Sequence, residues 1–225
     1  YLEAHPIGRA LLANGRIILV ESGMDVPGDS ALEADSFNGL VFGHDREASY
    51  FVGPSISEAE LDALIKHEIG VHMGIGKDTD LVNDLHSDLF DLIKNGALDD
   101  TDRALATEAV MRAFDVVGNG NGEIGQAILK QLNTFQMQPA ERYSESNITA
   151  VIQRVCAAKG LDAQETADFV GDFMRMYKEE TLGYLMNILD ADDRKAGAKP
   201  QGVMAAIIRW IKATMIRMAY ANSQG

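Results

Sequence analysis

One boundary constrains this chain more than any other: at Gly53-Pro54 the pattern of apolar residues changes from strand-like to helical and does not change back. Before it, Arg16-Ile17-Ile18-Leu19-Val20 is a β-branched run bounded by Asn14-Gly15 and Gly23, which predicts a strand. Residues 39–42 and 48–52 are two more such runs. They flank Gly43-His44-Asp45-Arg46-Glu47, a polar turn of the length that closes a hairpin. Residues 23–38, rich in Gly, Asp, Ser and Pro, read as loop. Beyond the boundary, Ser57-Glu58-Ala59-Glu60 is a capping box, in which the hydroxyl and the carboxylate satisfy free amides reciprocally. Leu61, Leu64 and Ile65 then recur at helical spacing. Further helices are predicted at 78–95 with Gly96 as cap, 100–117, 123–136, 147–159 with Gly160 as cap, 163–189 and 202–220. Gly118-Asn119-Gly120-Asn121-Gly122 reads as a break, and residues 191–201 as a linker.

The expected class is therefore α+β: a small antiparallel sheet or hairpin followed by a mostly helical body. The expected organisation is one domain over 1–193, β-rich at 15–53 and helical at 57–190, with a basic amphipathic helix over 194–225 packing on it or extending from it. At 225 residues and 46% hydrophobic, the chain is long enough to bury a core without staples. Cys156 is its only cysteine, so an internal disulfide framework is excluded. No run approaches the roughly 18 apolar residues of a membrane span. The start, Tyr1-Leu2-Glu3-Ala4-His5-Pro6, lacks the features of a signal peptide and reads as a cut inside a longer polypeptide.

Charge is distributed unevenly along the chain. All 34 acidic residues lie at or before Asp193, whereas Arg194, Lys195, Lys199, Arg209, Lys212 and Arg217 follow it with no acid among them. The net charge of −14 is thus a −20 body and a +6 tail. Such a body repels nucleic acid, although a local basic arm remains available for nucleic acid or a membrane surface. The simpler reading of the tail is a helix that docks on acidic surface.

The chemistry concentrates in His67-Glu68-Ile69-Gly70-Val71-His72. In the short metalloprotease motif two histidines stand at i and i+4 with a glutamate between them. Here the spacing is i and i+5, which on an ideal α-helix separates the rings by about 140° and prevents them from sharing an ion. Two geometries restore the pairing. One is a π turn, which returns i and i+5 to similar azimuths. The other is an early helix end near Gly70 that lets His72 swing in, and Gly70, Gly74 and Gly76 make either distortion inexpensive. The competing reading is an ordinary Glu68/His72 pair at i, i+4. The strand at 48–52 feeds directly into this helix, and an unpaired strand edge beside a hydrolytic site binds extended peptide through main-chain hydrogen bonds.

HEIGVH with a strand before it and acidic helices behind resembles the zincin-like metallopeptidase domains of the HExxxH type. Those domains sit inside large polyvalent proteins of bacteriophages and conjugative elements. Lys178-Glu179-Glu180-Thr181-Leu182-Gly183-Tyr184-Leu185 is similar to that family's E-E-x-L-A-Y-L helix, with Gly183 where Ala is usual. Ala205-Ala206-Ile207-Ile208-Arg209-Trp210-Ile211-Lys212 is similar to its closing A-I-R-x-W-L-R segment. The likeness spans residues 38 to 219. The stretch between His72 and Glu179 is longer than in the family, which makes the Gly118–Gly122 segment an expected insertion.

The resemblance implies a zinc metallopeptidase, a hydrolase with His67 and His72 as ligands and Glu68 as the base that activates water. It implies Glu180 as third ligand, with Glu179 as the alternative; Glu108, also on a helix, is a further alternative. Two imidazoles and a carboxylate leave the fourth position of zinc open, as hydrolysis needs. Tyr184, one turn after Glu180, is a possible transition-state stabiliser, with a core tyrosine as the plainer reading. Expected partners are a protein or peptide substrate and other domains of a longer parent chain; nucleic acid is not favoured. The expected setting is the host cytoplasm or the phage virion.

Other residues carry plainer readings. His86, between Asp84 and Asp88, is expected on a solvated surface, with a role in supporting the metal ligands as the alternative, and His5 and His44 are expected to be unremarkable. Asp99-Asp100-Thr101-Asp102 suits a helix N-terminus, residues 119–123 suit a flexible loop, and Met174, Met176 and Met186 suit core filling. Two rivals to the peptidase stand: a catalytically silent zincin-fold interaction module, and a nucleic-acid or membrane-surface module working through the basic tail.

Overall fold

In a computed structural model of the chain, the described residues are 17–19, 39–42, 49–52, 67 and 78–196, with side chains at 67 and 78–188. The chain divides into two compact units, Tyr1–Lys77 with Ile208–Gly225, and Asp78–Ile207.

In the first unit three short strands form one sheet: β1 (Ile17–Leu19), β2 (Gly39–Phe42) and β3 (Ser49–Val52), in the order β1-β3-β2. β2 and β3 are the antiparallel pair expected of the polar turn, in register from Gly39 opposite Val52 to Phe42 opposite Ser49. β1 joins on the other side of β3 and runs parallel to it, Ile17 opposite Tyr50. A parallel pair cannot be joined by a tight turn, and here β2 lies between the two strands in sequence.

The second unit is built from α1 (Thr79–Lys94), α2 (Asp100–Gly120), α3 (Gly122–Leu132), α4 (Pro139–Arg142), α5 (Glu145–Lys159) and α6 (Ala163–Ala196). Among the residues with described side chains, 84% are helical and none lies in a strand or sheet. The expected α+β class is therefore corrected: the body that carries the described core is all-helical. The strands amount to three short, mixed-direction segments of the other unit. Amphipathic periodicity found the longer described helices. The expected helices after Ser57 and at 202–220 lie, apart from His67, outside the described residues, and the error lay in giving so small a sheet a layer of its own.

Local chemistry explains the helix ends. Asp78 caps α1 by accepting from the Leu81 amide at 3.1 Å, and Asp99 caps α2 by accepting from Asp102 at 2.8 Å, as short acceptor side chains do at N-caps. Gly160 follows α5 with φ +82°, and Gly96 stands two residues after α1 with φ +66°, a conformation that favours residues without a Cβ.

Two expected boundaries need correction. α2 continues through Gly120, and α3 begins at Gly122, so the glycine cluster is a helix–helix junction and not a flexible loop. The reason is packing. A Cβ on Gly125 would overlap the Gly118 carbonyl, and one on Gly118 would meet Leu129 Cγ at 2.5 Å. Glycine at these two positions lets α2 and α3 approach closely, an arrangement that outweighs its low helix propensity. Likewise α6 runs to Ala196, so residues 191–196 are helix and not linker.

The core lies between the middle of α6 and the helices against it. Phe173, Tyr177, Leu182, Leu185 and Met186 of α6 are buried with Phe114 of α2, and with Ile148 and Ile152 of α5. Phe114 makes edge-on contacts with Tyr143, Phe173 and Tyr177, at centroid separations of 5.2, 5.8 and 6.0 Å, the geometry aromatic quadrupoles prefer. The fully enclosed Tyr177 hydroxyl donates to the Tyr143 carbonyl at 3.0 Å, so its polar end is satisfied. Met174 and Met186 fill this core, whereas Met176 is half-buried.

Candidate metal motif and the two buried histidines

His67 is the one member of HEIGVH among the described residues; Glu68 and His72 lie outside them. Its side chain is buried and its backbone has π-helical geometry. A π turn is one of the two distortions that let an i, i+5 pair face one ion.

The carboxylates proposed for the third position belong to the second unit. Glu179 is buried and accepts from Arg175 at 3.2 Å across one turn of α6. Glu180 is half-buried, as is Tyr184 one turn later on the same helix, and both have polar or electrostatic partners of their own. Glu108 lies half-exposed on α2, paired with Arg112 at i, i+4. That is the arrangement of an ordinary surface ion pair. Among the described residues no three His, Cys, Asp or Glu side chains gather as a metal site. No described helix is long and apolar enough to cross a membrane. The basic tail from Lys199 onward, His5 and His44 lie outside the described residues.

The second buried histidine corrects an expectation. His86 is only 3% exposed, not a surface residue. It stacks beside Phe90 at a centroid distance of 4.7 Å and meets the edge of Tyr177 at 5.3 Å. Its Nε2 is buried without a hydrogen-bond partner. Burial, and secondarily the nearby Lys178 ammonium, pull its pKa from 6.5 down to about 3. The ring is consequently neutral at physiological pH.

Lys178 is itself buried and joins three helices. Its Nζ donates to Asn83 Oδ1 on α1 at 2.9 Å and pairs with Glu145 Oε2 at the start of α5, 3.0 Å away. Sequence reasoning missed this cluster, although one signal was present. Val82, His86, Leu89 and Ile93 recur at helical spacing, all buried, so His86 stands on the apolar stripe of α1. The neighbouring Asp84 and Asp88 pointed the other way because adjacent residues on a helix do not share a face.

Cys156 is buried and free, with its thiol pKa raised by burial, as for an inert core cysteine. No protein-family model matches this chain, and neither a curated protein nor a solved structure gives a significant match.

Proposed function

We propose that the chain is a zinc-dependent peptidase whose metal is held through His67 and His72, with Glu68 as general base. The observation that carries this reading is the π-helical backbone at a buried His67, since an undistorted α-helix would turn the two imidazoles apart. When bound, zinc supplies a Lewis acid that makes water nucleophilic near neutral pH. Glu68 would act as the general base, taking a proton from the attacking water and returning it to the departing amine nitrogen. The third ligand rests on the resemblance, which assigns it to Glu180 before Glu179.

Metal analysis of the purified chain beside Glu68→Gln and His67→Ala, with a general protease assay, tests the reading. Wild type and Glu68→Gln should each retain one zinc, His67→Ala should lose it, and only wild type should cleave. Absence of stoichiometric transition metal from wild type after zinc reconstitution would sink the ligand assignment. Zinc in both wild type and Glu68→Gln with no cleavage by either points instead to a silent interaction module. Separate Glu180→Gln and Glu179→Gln variants decide the third ligand by which one weakens zinc binding.

A further inference from the structure

Five Asn-Gly pairs punctuate the sequence, at Asn14, Asn38, Asn95, Asn119 and Asn121. The last three lie wholly among the described residues. Asparagine followed by glycine is chemically labile, because a residue without a Cβ leaves its amide nitrogen open to attack the preceding side-chain carbonyl. Whether attack occurs depends on what holds the amide side chain and the glycine nitrogen in place.

The three pairs differ on that point. Asn119 Oδ1 accepts from Gln126 Nε2 at 2.6 Å, and Gly120 is the last residue of α2. Asn121 Nδ2 donates to the Val117 carbonyl at 2.7 Å. Its backbone forms the α2–α3 junction, where its carbonyl accepts from Gly125 at 3.1 Å. Rotating Asn121 toward ring closure therefore means opening the close helix pair at Gly118 and Gly125. Asn95, by contrast, stands past the end of α1 in an exposed stretch that includes Lys94, Gly96 and Ala97. Its backbone amide is tied to the Asp91 carbonyl at 2.9 Å. Among the described residues its side chain and the Gly96 amide have no hydrogen-bond partner.

We infer that Asn95-Gly96 is a site of spontaneous, intramolecular deamidation in the folded protein. The Gly96 amide nitrogen attacks Asn95 Cγ and loses its proton to solvent. The new C–N bond closes a succinimide as the Cγ–NH2 bond breaks and ammonia leaves. Water then opens the ring at either carbonyl, giving aspartate or isoaspartate, with no change of oxidation state. The net exchange is water in and ammonia out, and the site gains one negative charge. That charge arises at the C-terminal end of α1, where the helix dipole already disfavours an anion. The isoaspartyl product also lengthens the main chain by one methylene in a turn that depends on Gly96 at positive φ. The modification therefore loosens the end of α1 with age.

Peptide mapping by mass spectrometry tests this on the full chain, held at neutral to mildly alkaline pH with and without urea. In the native protein the Asn95 peptide should convert to its Asp and isoAsp forms roughly tenfold or more faster than the Asn119 and Asn121 peptides. Hydrogen bonds that must open first supply protection of that order. In urea the three rates should converge. Native conversion at Asn119 or Asn121 as fast as at Asn95 overturns the inference, as does an Asn95 that converts in urea but is inert in the native chain.

Discussion

His67 and His86 are both closed off from solvent, yet their own backbones differ. His67 has π-helical backbone geometry, inside a motif with catalytic residue types. His86 lies in the middle of a regular, well-capped helix, against Phe90 and Tyr177 and near a lysine. A distorted backbone around a buried polar residue costs stability and persists where the surrounding structure enforces it. Regular backbone around an orphaned ring nitrogen requires only that the ring remain neutral. The contrast separates a histidine proposed to work from one that packs.

The largest expected effect comes from removing the working group. Glu68→Gln should lower peptidase turnover by about 10²–10⁴-fold, the usual contribution of a positioned general base, while zinc content and thermal melting stay at wild-type values. Steady-state rates on a cleavable protein substrate, with metal analysis of the same samples, read both. A variant with unchanged turnover removes the basis for distinguishing His67 from His86 by function.

The next effect belongs to His86 and depends on pH. Its folded pKa of about 3 lies below its unfolded value of 6.5, so its contribution is fully present above 6.5 and is lost as pH falls toward 3. The gap is worth up to about 5 kcal/mol at about 1.4 kcal/mol per pH unit. His86→Leu should abolish that part of the acid slope, measured by urea denaturation at intervals from pH 7 to 4. A variant as acid-labile as wild type would assign the slope to carboxylates instead.

Gly125→Ala is the pH-independent counterpart within the same helical body. The added methyl would overlap the Gly118 carbonyl, and overpacking of this kind costs about 1–3 kcal/mol. Its loss of stability should be the same at pH 7 and pH 5, unlike the change caused by His86→Leu. Equal stability to wild type would show that α2 and α3 can separate without cost.

These sites were unevenly legible in the sequence. The caps at Asp99 and Gly160 were readable because each uses a single residue with a local role. The paired strands β2 and β3 were readable for the same reason, since turn length and alternation are local. The parallel β1–β3 pair was not, because nothing in residues 16–20 says which strand they join. Gly118 looked like a breaker because propensity counts a glycine's cost and not the neighbour it admits. Glu108 pairs with Arg112 at i, i+4, a local relation that spacing on a helix makes readable. His86 was misread from its flanking aspartates when its own stripe held the answer.

The smallest expected effect tests why His86 is so strongly neutral. Burial is the first cause and Lys178 the second. Lys178→Met keeps the apolar stem but removes the cation, so His86 should titrate nearer its ordinary value while remaining below it. Stability at pH 7 should change by less than about 1 kcal/mol. The lost partner, Glu145, is 58% exposed and returns to water readily, and Asn83 is itself only half-buried. The acid slope should become shallower than in wild type and steeper than in His86→Leu. NMR titration of the His86 ring follows the pKa directly. If the ring titrates in Lys178→Met as it does in wild type, burial alone sets its state, and the cation contributes only to holding α1, α5 and α6 together.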